Sequence, residues 1–433
     1  MNKPSSTSLN IGELPWGTFF FLLLVFALVT PFDFSWPQTV QLKENFIDTG
    51  EAIARMEHGN MGRRIGMLLL GAFAIFTLAR TENRFRINEP VGWVLLFYFI
   101  WIIFSLTWSI DPIFTLRRVV TVGILWFAAA AIGARHSLRE LAVLVVFVCG
   151  ATLVLAFANE IRLHTFNPVD NIWRFSGLFH TVAMGWNCGL LALAAMYLAH
   201  VDKQNTHRLF FYCVLAVSIV FLLLTKSRMA VAASLLSMGY FGFRVVSRRN
   251  KMLLVLSIIS IACFSYLLLG DMLLYYGEEM STLGRGDAAK ESVSNLTGRI
   301  PLWIECFRFI IDKPVLGYGF NSFISPTNIE TIYRNVGWIP NSVHSGFMDA
   351  LMGLGFVGVG AMIISFALTL ARSLLLSRKS VDYIFVTSVL LWLYYNLLLE
   401  ANLITMPTFM TFFGMILISR LSFLPGTEWE TGK

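Results

Sequence analysis

The sequence predicts an all-α polytopic membrane bundle of about twelve spanning helices, with one large loop on the non-cytoplasmic face. Three observations predict it. Apolar residues make up 56% of the 433 residues and charged residues 14%, where a soluble domain has about 45–50% and 25%. The apolar residues fall in long runs rather than in alternating strand patterns. Lys and Arg recur in every second turn between those runs.

The runs lie at 16–34, 65–80, 91–108, 116–134, 140–157, 176–199, 208–225, 228–244, 252–270, 345–370, 382–399 and 403–420. Each approaches the length of about 20 residues that crosses hydrocarbon. The 208–244 stretch also reads as one broken unit. With the N-terminus in the cytoplasm, the cytoplasmic turns carry Arg80, Arg84 and Arg86; Arg135 and Arg139; Lys203 and Arg208; Arg244, Arg248, Arg249 and Lys251; Arg372, Arg378 and Lys379; and Arg420. The opposite turns at Trp108–Thr115 and Glu400–Asn402 carry no Lys or Arg. Both termini therefore read as cytoplasmic.

Two segments on the other face are long, 35–64 and 271–343. The chain divides into an N-terminal bundle, 1–270, of about nine spans; the loop, 271–343; and the C-terminal helices and tail, 344–433. Within the loop, 302–311 has the pattern of an amphipathic helix. Thr297 or Gly298 starts it, Lys313-Pro314 ends it, and Gly317-Tyr318-Gly319 makes a turn. There is no visible internal repeat and no pair of broken helices in matching halves.

Several classes are excluded. A net charge of +7 does not point to nucleic acid, because no soluble basic domain is present to carry it. Five cysteines without a CxxC support neither a disulfide framework nor a zinc site. The sequon at Asn295 has meaning only in a glycosylating compartment. The first run is long, follows only Lys3 and lacks a small-residue cleavage site, which argues against a cleaved signal peptide. Asp-x-Asp, Glu-x-Asp, HExxH, Walker and GxSxG patterns are all missing.

The informative residues are cations on the face that the positive-inside rule depletes. Arg117 and Arg118 lie just inside the fourth span. Arg174 opens the sixth. Lys226 and Arg228 occupy the break between the seventh and eighth, and Arg299 precedes the loop helix. Such charges cost a few kcal/mol each near hydrocarbon unless paired or solvated. As a group they suit an anion, and guanidinium forks match phosphate oxygens. Each alone is equally accounted for by reaching to headgroups, except Arg228, whose very tight turn between two spans favours a functional role. His344, at the mouth of the tenth span, has the side chain best suited to accept a proton near neutral pH, although a lone histidine is more often a cap. His58, His164 and His180 are less clearly placed at a helix mouth. Asp349, one turn into that span, and Glu400 and Asn402, between the last two spans, are available to pair an arginine or orient the base.

Four local motifs carry a resemblance. They are Arg174-Phe-Ser-Gly177-Leu-Phe-His180; Thr225-Lys226-Ser227-Arg228; Gly298-Arg299-Ile-Pro-Leu-Trp303 followed by Lys313-Pro314-Val-Leu-Gly317-Tyr-Gly319; and Asn341-Ser-Val-His344 followed by Gly353-Leu-Gly355-Phe-Val-Gly358. With the span layout, these make the chain similar to the O-antigen ligase/polymerase superfamily, comprising WaaL-type ligases and Wzy- and ExoQ-like polysaccharide polymerases. Members often carry Asn directly after the histidine, where this chain has Ser345.

The resemblance implies a GT-C-like helical bundle in the bacterial inner membrane. It implies transfer of a glycan from undecaprenyl diphosphate to an acceptor hydroxyl on the periplasmic face, without metal or cofactor. Arg228 and Arg299 would bind the diphosphate with help from Arg174, and His344 would be the base. Lys226, Asp349 and Trp303 would support them. The partners would be the lipid-linked donor, the glycan acceptor, the bilayer and a chain-length regulator. General similarity to ExoQ-like proteins favours a polymerase of lipid-linked repeat units. The alternatives are a ligase acting on lipid A core, and a flippase of lipid-linked sugar, which would need charges near the membrane midplane.

Overall fold

The computed structural model describes residues 11–30, 32, 34, 60–81, 85–170, 173–246, 299–336, 342–400 and 407–424. All regular structure among them is helical. In chain order the helices are α1 (Trp16–Val29), α2 (Met61–Ala79), α3 (Val91–Phe104), α4 (Pro112–Arg135), α5 (Leu138–Arg162), α6 (Thr181–Val201), α7 (Asn205–Leu224), α8 (Arg228–Val245), α9 (Arg299–Asp312), α10 (Pro326–Val336), α11 (Gly346–Leu376), α12 (Val381–Leu399) and α13 (Phe409–Phe423). Seven of them, α2, α4, α5, α6, α7, α11 and α12, are long and apolar enough to cross a membrane; α1, α3 and α13 are shorter and apolar. The chain is a multi-pass membrane protein. Every predicted run except 252–270 overlaps a helix, and that run lies outside the described residues, as do 403–406 of the last run and 271–298 of the loop.

Local chemistry sets the helix starts. Asp111 accepts from the Phe114 N–H ahead of Pro112 at the first helical position of α4. Ser137 and Glu140 form a capping box on α5. Ser380 and Thr408 cap α12 and α13 through their hydroxyls.

The last helix stands in the middle. Every residue of α13 except Arg420 and Phe423 is buried, and it packs against α3, α4, α6, α11 and α12. A helix apolar on all sides belongs inside a bundle. By contrast α7 leaves Leu209, Phe210, Val217, Val220 and Leu223 exposed, as a lipid-facing helix does.

One end of the bundle is basic, and its arginines close helix C-termini. Arg420 donates to the Gly133 and His136 carbonyls at 2.8 and 2.7 Å. Arg244 donates to the Ser377 carbonyl, Arg139 to that of Val201, and Arg208 to that of Ala199. The final carbonyls of a helix lack intrahelical partners and attract cations, so these residues have a structural use besides topology.

At the opposite end the loop is locked into α11. That helix breaks at Gly355, which has φ +63° and ψ −167°. Residues 314–319 fill the break. Phe356 N–H donates to Pro314, Tyr318 N–H to Met352, and Gly319 N–H to Gly353, at 2.8 to 2.9 Å. The indole of Trp101 takes the Leu354 carbonyl at 3.1 Å, and that of Trp108 takes the Leu316 carbonyl at 2.8 Å. Irregular backbone within a span is tolerated only when its polar groups are satisfied in this way. The two glycine motifs are thus the two sides of one backbone contact.

The loop also holds α10, which sequence reading did not anticipate. Glu305 of α9 ties α9 to it by accepting from Asn335 at 2.6 Å. Leu302, Cys306, Ile310, Tyr318, Phe323, Ile332, Val343 and Met352 form a small separate core that joins the loop to α11.

Candidate functional site

The loop end of the bundle carries two groups of polar residues on adjoining helices. The first surrounds the turn between α7 and α8. Lys226 adopts a left-handed conformation, φ +48°, which makes a three-residue link possible. Its ammonium donates to the Asp170 carbonyl at 3.2 Å. Arg228 is the first residue of α8 and is half-buried; among the described residues its guanidinium has no hydrogen-bond or ion-pair partner. Arg174 Nε donates to the Thr225 carbonyl at 3.1 Å, and the next residue, Phe175, donates to Leu224.

Arg174 does not open a helix as expected. The residues after it form a non-helical strap that turns at Gly177, φ +62°, and α6 begins only at Thr181. The strap is preferred because Gly177 packs its backbone on Ala156, where a side chain would clash with that residue's Cα at 2.9 Å. His180 is placed at a helix mouth after all: it is the N-cap of α6, with its ring facing the Val182 N–H at 3.4 Å.

The second group surrounds His344. It too is left-handed, φ +55°. Positive φ in residues other than glycine is uncommon and collects at functional sites. His344 Nδ1 lies 3.9 Å from Glu400 Oε2, within ion-pair reach, and Glu400 is buried. Asp349 Oδ1 accepts from the Val343 N–H at 3.1 Å. The Trp303 indole donates to the Val343 carbonyl at 2.8 Å. Both therefore hold the residue before the histidine. Ser345 caps α11 with its hydroxyl toward the Met348 N–H. Serine here does the capping that asparagine would do, and His344 itself is not the cap. Arg299 is the first residue of α9, four residues before Trp303. Within that helix, burial pushes the Cys306 thiol up to about 12, with the Asp349 and Glu305 carboxylates adding to it.

The two groups share one end of one interface. α8 packs on α12, where the Trp392 indole donates to Ser234 at 3.2 Å. Arg228 lies six residues beyond Ser234 and Glu400 eight beyond Trp392. At 1.5 Å per residue these are about 9 and 12 Å toward the loop end. α6 seals the third side, and Gly189 leaves no room for a Cβ against Trp392 Nε1 at 2.8 Å.

Arg117 and Arg118 are not part of this arrangement. They belong to α4, which packs chiefly on α2 and α13, and Arg118 lies 4.9 Å over the Phe114 ring. Asn402 lies outside the described residues. Among the described residues no three His, Cys, Asp or Glu side chains come together as a metal-binding group.

Residues 213–363 match the Wzy_C family model, described as O-Antigen ligase. The match spans Lys226, Arg228, Arg299, Trp303, His344 and Asp349, and leaves Arg174 and Glu400 outside. No curated protein matches the chain.

Proposed function

From membership of the O-antigen ligase/polymerase superfamily, supported by the match over 213–363, we propose that the chain is a glycosyltransferase of the periplasmic face of the bacterial inner membrane, with both termini cytoplasmic. It joins undecaprenyl-diphosphate-linked repeat units into exopolysaccharide or O-antigen. The observation that carries the reading is the convergence of the motifs. Trp303 bonds the residue before His344, His344 Nδ1 lies 3.9 Å from Glu400, and α12, whose C-cap is Glu400, packs on α8, which Arg228 opens.

In this reading His344 takes the proton of the acceptor hydroxyl, on Nε2, while Glu400 faces Nδ1 and favours the imidazolium that forms. The acceptor oxygen attacks the anomeric carbon. The bond from that carbon to the diphosphate oxygen breaks, and its electron pair leaves with undecaprenyl diphosphate. Arg228, Arg299 and Arg174 match the charge that develops there. With cations in that role no divalent metal is required, and transfer continues in EDTA.

The family description favours one second reading, a ligase that moves a finished glycan to a lipid acceptor. Deletion separates the two. Single repeat units accumulating on the carrier support the polymerase, and long unattached polymer supports the ligase. His344→Ala and Arg228→Ala are each expected to abolish polymer while the protein remains in the membrane. Wild-type polymer from either variant refutes the assignment.

A further inference from the structure

We propose that Glu160 is a positioning residue for the diphosphate site, acting through the strap that carries Arg174. The inference rests on the proposed function and adds to it a residue on a helix outside the matched segment.

Glu160 lies in the last turn of α5 and is 1% exposed. Its Oε1 accepts from two consecutive backbone donors, the Ser176 N–H at 3.0 Å and the Gly177 N–H at 2.9 Å. Its neighbour Asn159 completes the clamp by donating from Nδ2 to the Gly177 carbonyl at 3.1 Å. Two adjacent side chains thus hold both polar faces of one peptide run. The chain can double back onto α5 because Thr165 N–H returns to the Glu160 carbonyl around His164, which is left-handed at φ +55°.

The other end of the strap is fixed to the α7–α8 turn. Phe175 N–H donates to Leu224 and Arg174 Nε to Thr225, three residues before Arg228. Arg174 therefore stands at the turn end of the strap, next to the Phe175 bond and two residues from the first bond to Glu160. A buried carboxylate at the end of a span is costly, and it is retained where a charge-assisted bond fixes something of use. Here it fixes the backbone two residues from a guanidinium. Releasing the anchor loosens the strap on the far side of Arg174, and the set of its guanidinium toward a phosphate held by Arg228 is lost.

The test measures binding of undecaprenyl diphosphate to the purified full-length protein in detergent, alone and in a double-mutant cycle with Arg174→Ala. Glu160→Ala removes the acceptor. Glu160→Asp keeps the charge and withdraws it by one methylene. Both are expected to weaken Kd about tenfold, the scale of one misplaced charged hydrogen bond. Glu160→Gln keeps an acceptor oxygen and is expected to stay within about threefold of wild type. In the Arg174→Ala background none of the three should change Kd further, because coupled residues are not additive. If Glu160→Ala does not accumulate, Glu160→Asp carries the cycle. Equal losses with and without Arg174, or losses that track a falling thermal midpoint across the variants, overturn the inference and leave Glu160 as a packing residue. A wild-type protein that does not bind undecaprenyl diphosphate overturns the proposed function instead.

Discussion

Gly355→Ala is the most direct probe of how the loop is joined to the bundle. The native backbone at Gly355, φ +63° and ψ −167°, is essentially restricted to glycine, and forcing another residue into it costs about 1–3 kcal/mol. A Cβ there would also fall on the Val315 carbonyl, with the Leu316 nitrogen only 2.7 Å away. These are backbone atoms and cannot step aside as a side chain would. Segment 314–319 must withdraw, which strains the bonds Phe356 to Pro314, Tyr318 to Met352 and Gly319 to Gly353. Each is worth about 1 kcal/mol net, so with the backbone strain the loss totals up to about 4–6 kcal/mol. The same helix supplies the control. Gly360 has nothing within 4 Å of its Cβ position. Gly360→Ala should be neutral or stabilise by up to about 1 kcal/mol, through helix propensity. The assay is thermal unfolding of the detergent-solubilised protein at one scan rate, followed by fluorescence. A midpoint for Gly355→Ala clearly below both wild type and Gly360→Ala is expected. Equal midpoints for the two variants would refute the interlock.

Three further outcomes are expected. Glu400→Gln removes the charge facing His344 and keeps its size; transfer should fall about 10- to 100-fold at unchanged protein level, and a full-rate variant removes Glu400 from the mechanism. Arg420→Met gives up two carbonyl bonds at the basic end. It should lower stability by about 2–4 kcal/mol without changing undecaprenyl diphosphate affinity, and a weakened affinity would show that the two ends are coupled. Because the Cys306 thiol titrates at about 12, its thiolate at pH 8 is about a thousandfold scarcer than that of an ordinary thiol. Maleimide should therefore label Cys306 only after denaturation, as read by mass spectrometry of the peptide, and labelling of the native protein as fast as a free thiol would contradict its burial.

Much of this architecture was legible because hydrocarbon imposes a length and a charge rule that a single sequence displays. The run at 382–399 maps onto α12 almost residue for residue, and 91–108 covers α3 and the short 3-10 turn, 105–107, that follows it. The start of α6 was misplaced because Phe175, Leu178 and Phe179 extend the apolar run across the strap. Gly177 was the available sign that the backbone turns there. α10 went unread because it is too polar for an apolar run, yet Ser325-Pro326 is a helix-start pair and Glu330 and Arg334 are spaced to bond, at 2.7 Å. At the site, residue types gave His344, Arg228 and Trp303 through motif and cost arguments. Glu160 was invisible by such arguments, since its partners are backbone N–H groups that every residue offers. Arg117 and Arg118 obeyed the same cost rule as Arg228 and belong elsewhere. Charge cost marks a residue as needing company, and only the packing says whose.

The central place of α13 has a consequence for biogenesis. The helix that α3, α4, α6, α11 and α12 all embrace is synthesised after every one of them. Until residues 409–423 leave the ribosome, the five earlier helices wait in the lipid without the helix they pack around. The bundle closes only when α13 inserts among helices already in the membrane, like a keystone set into standing stones. Quality control that samples nascent chains would therefore find this protein vulnerable until α13 has been made.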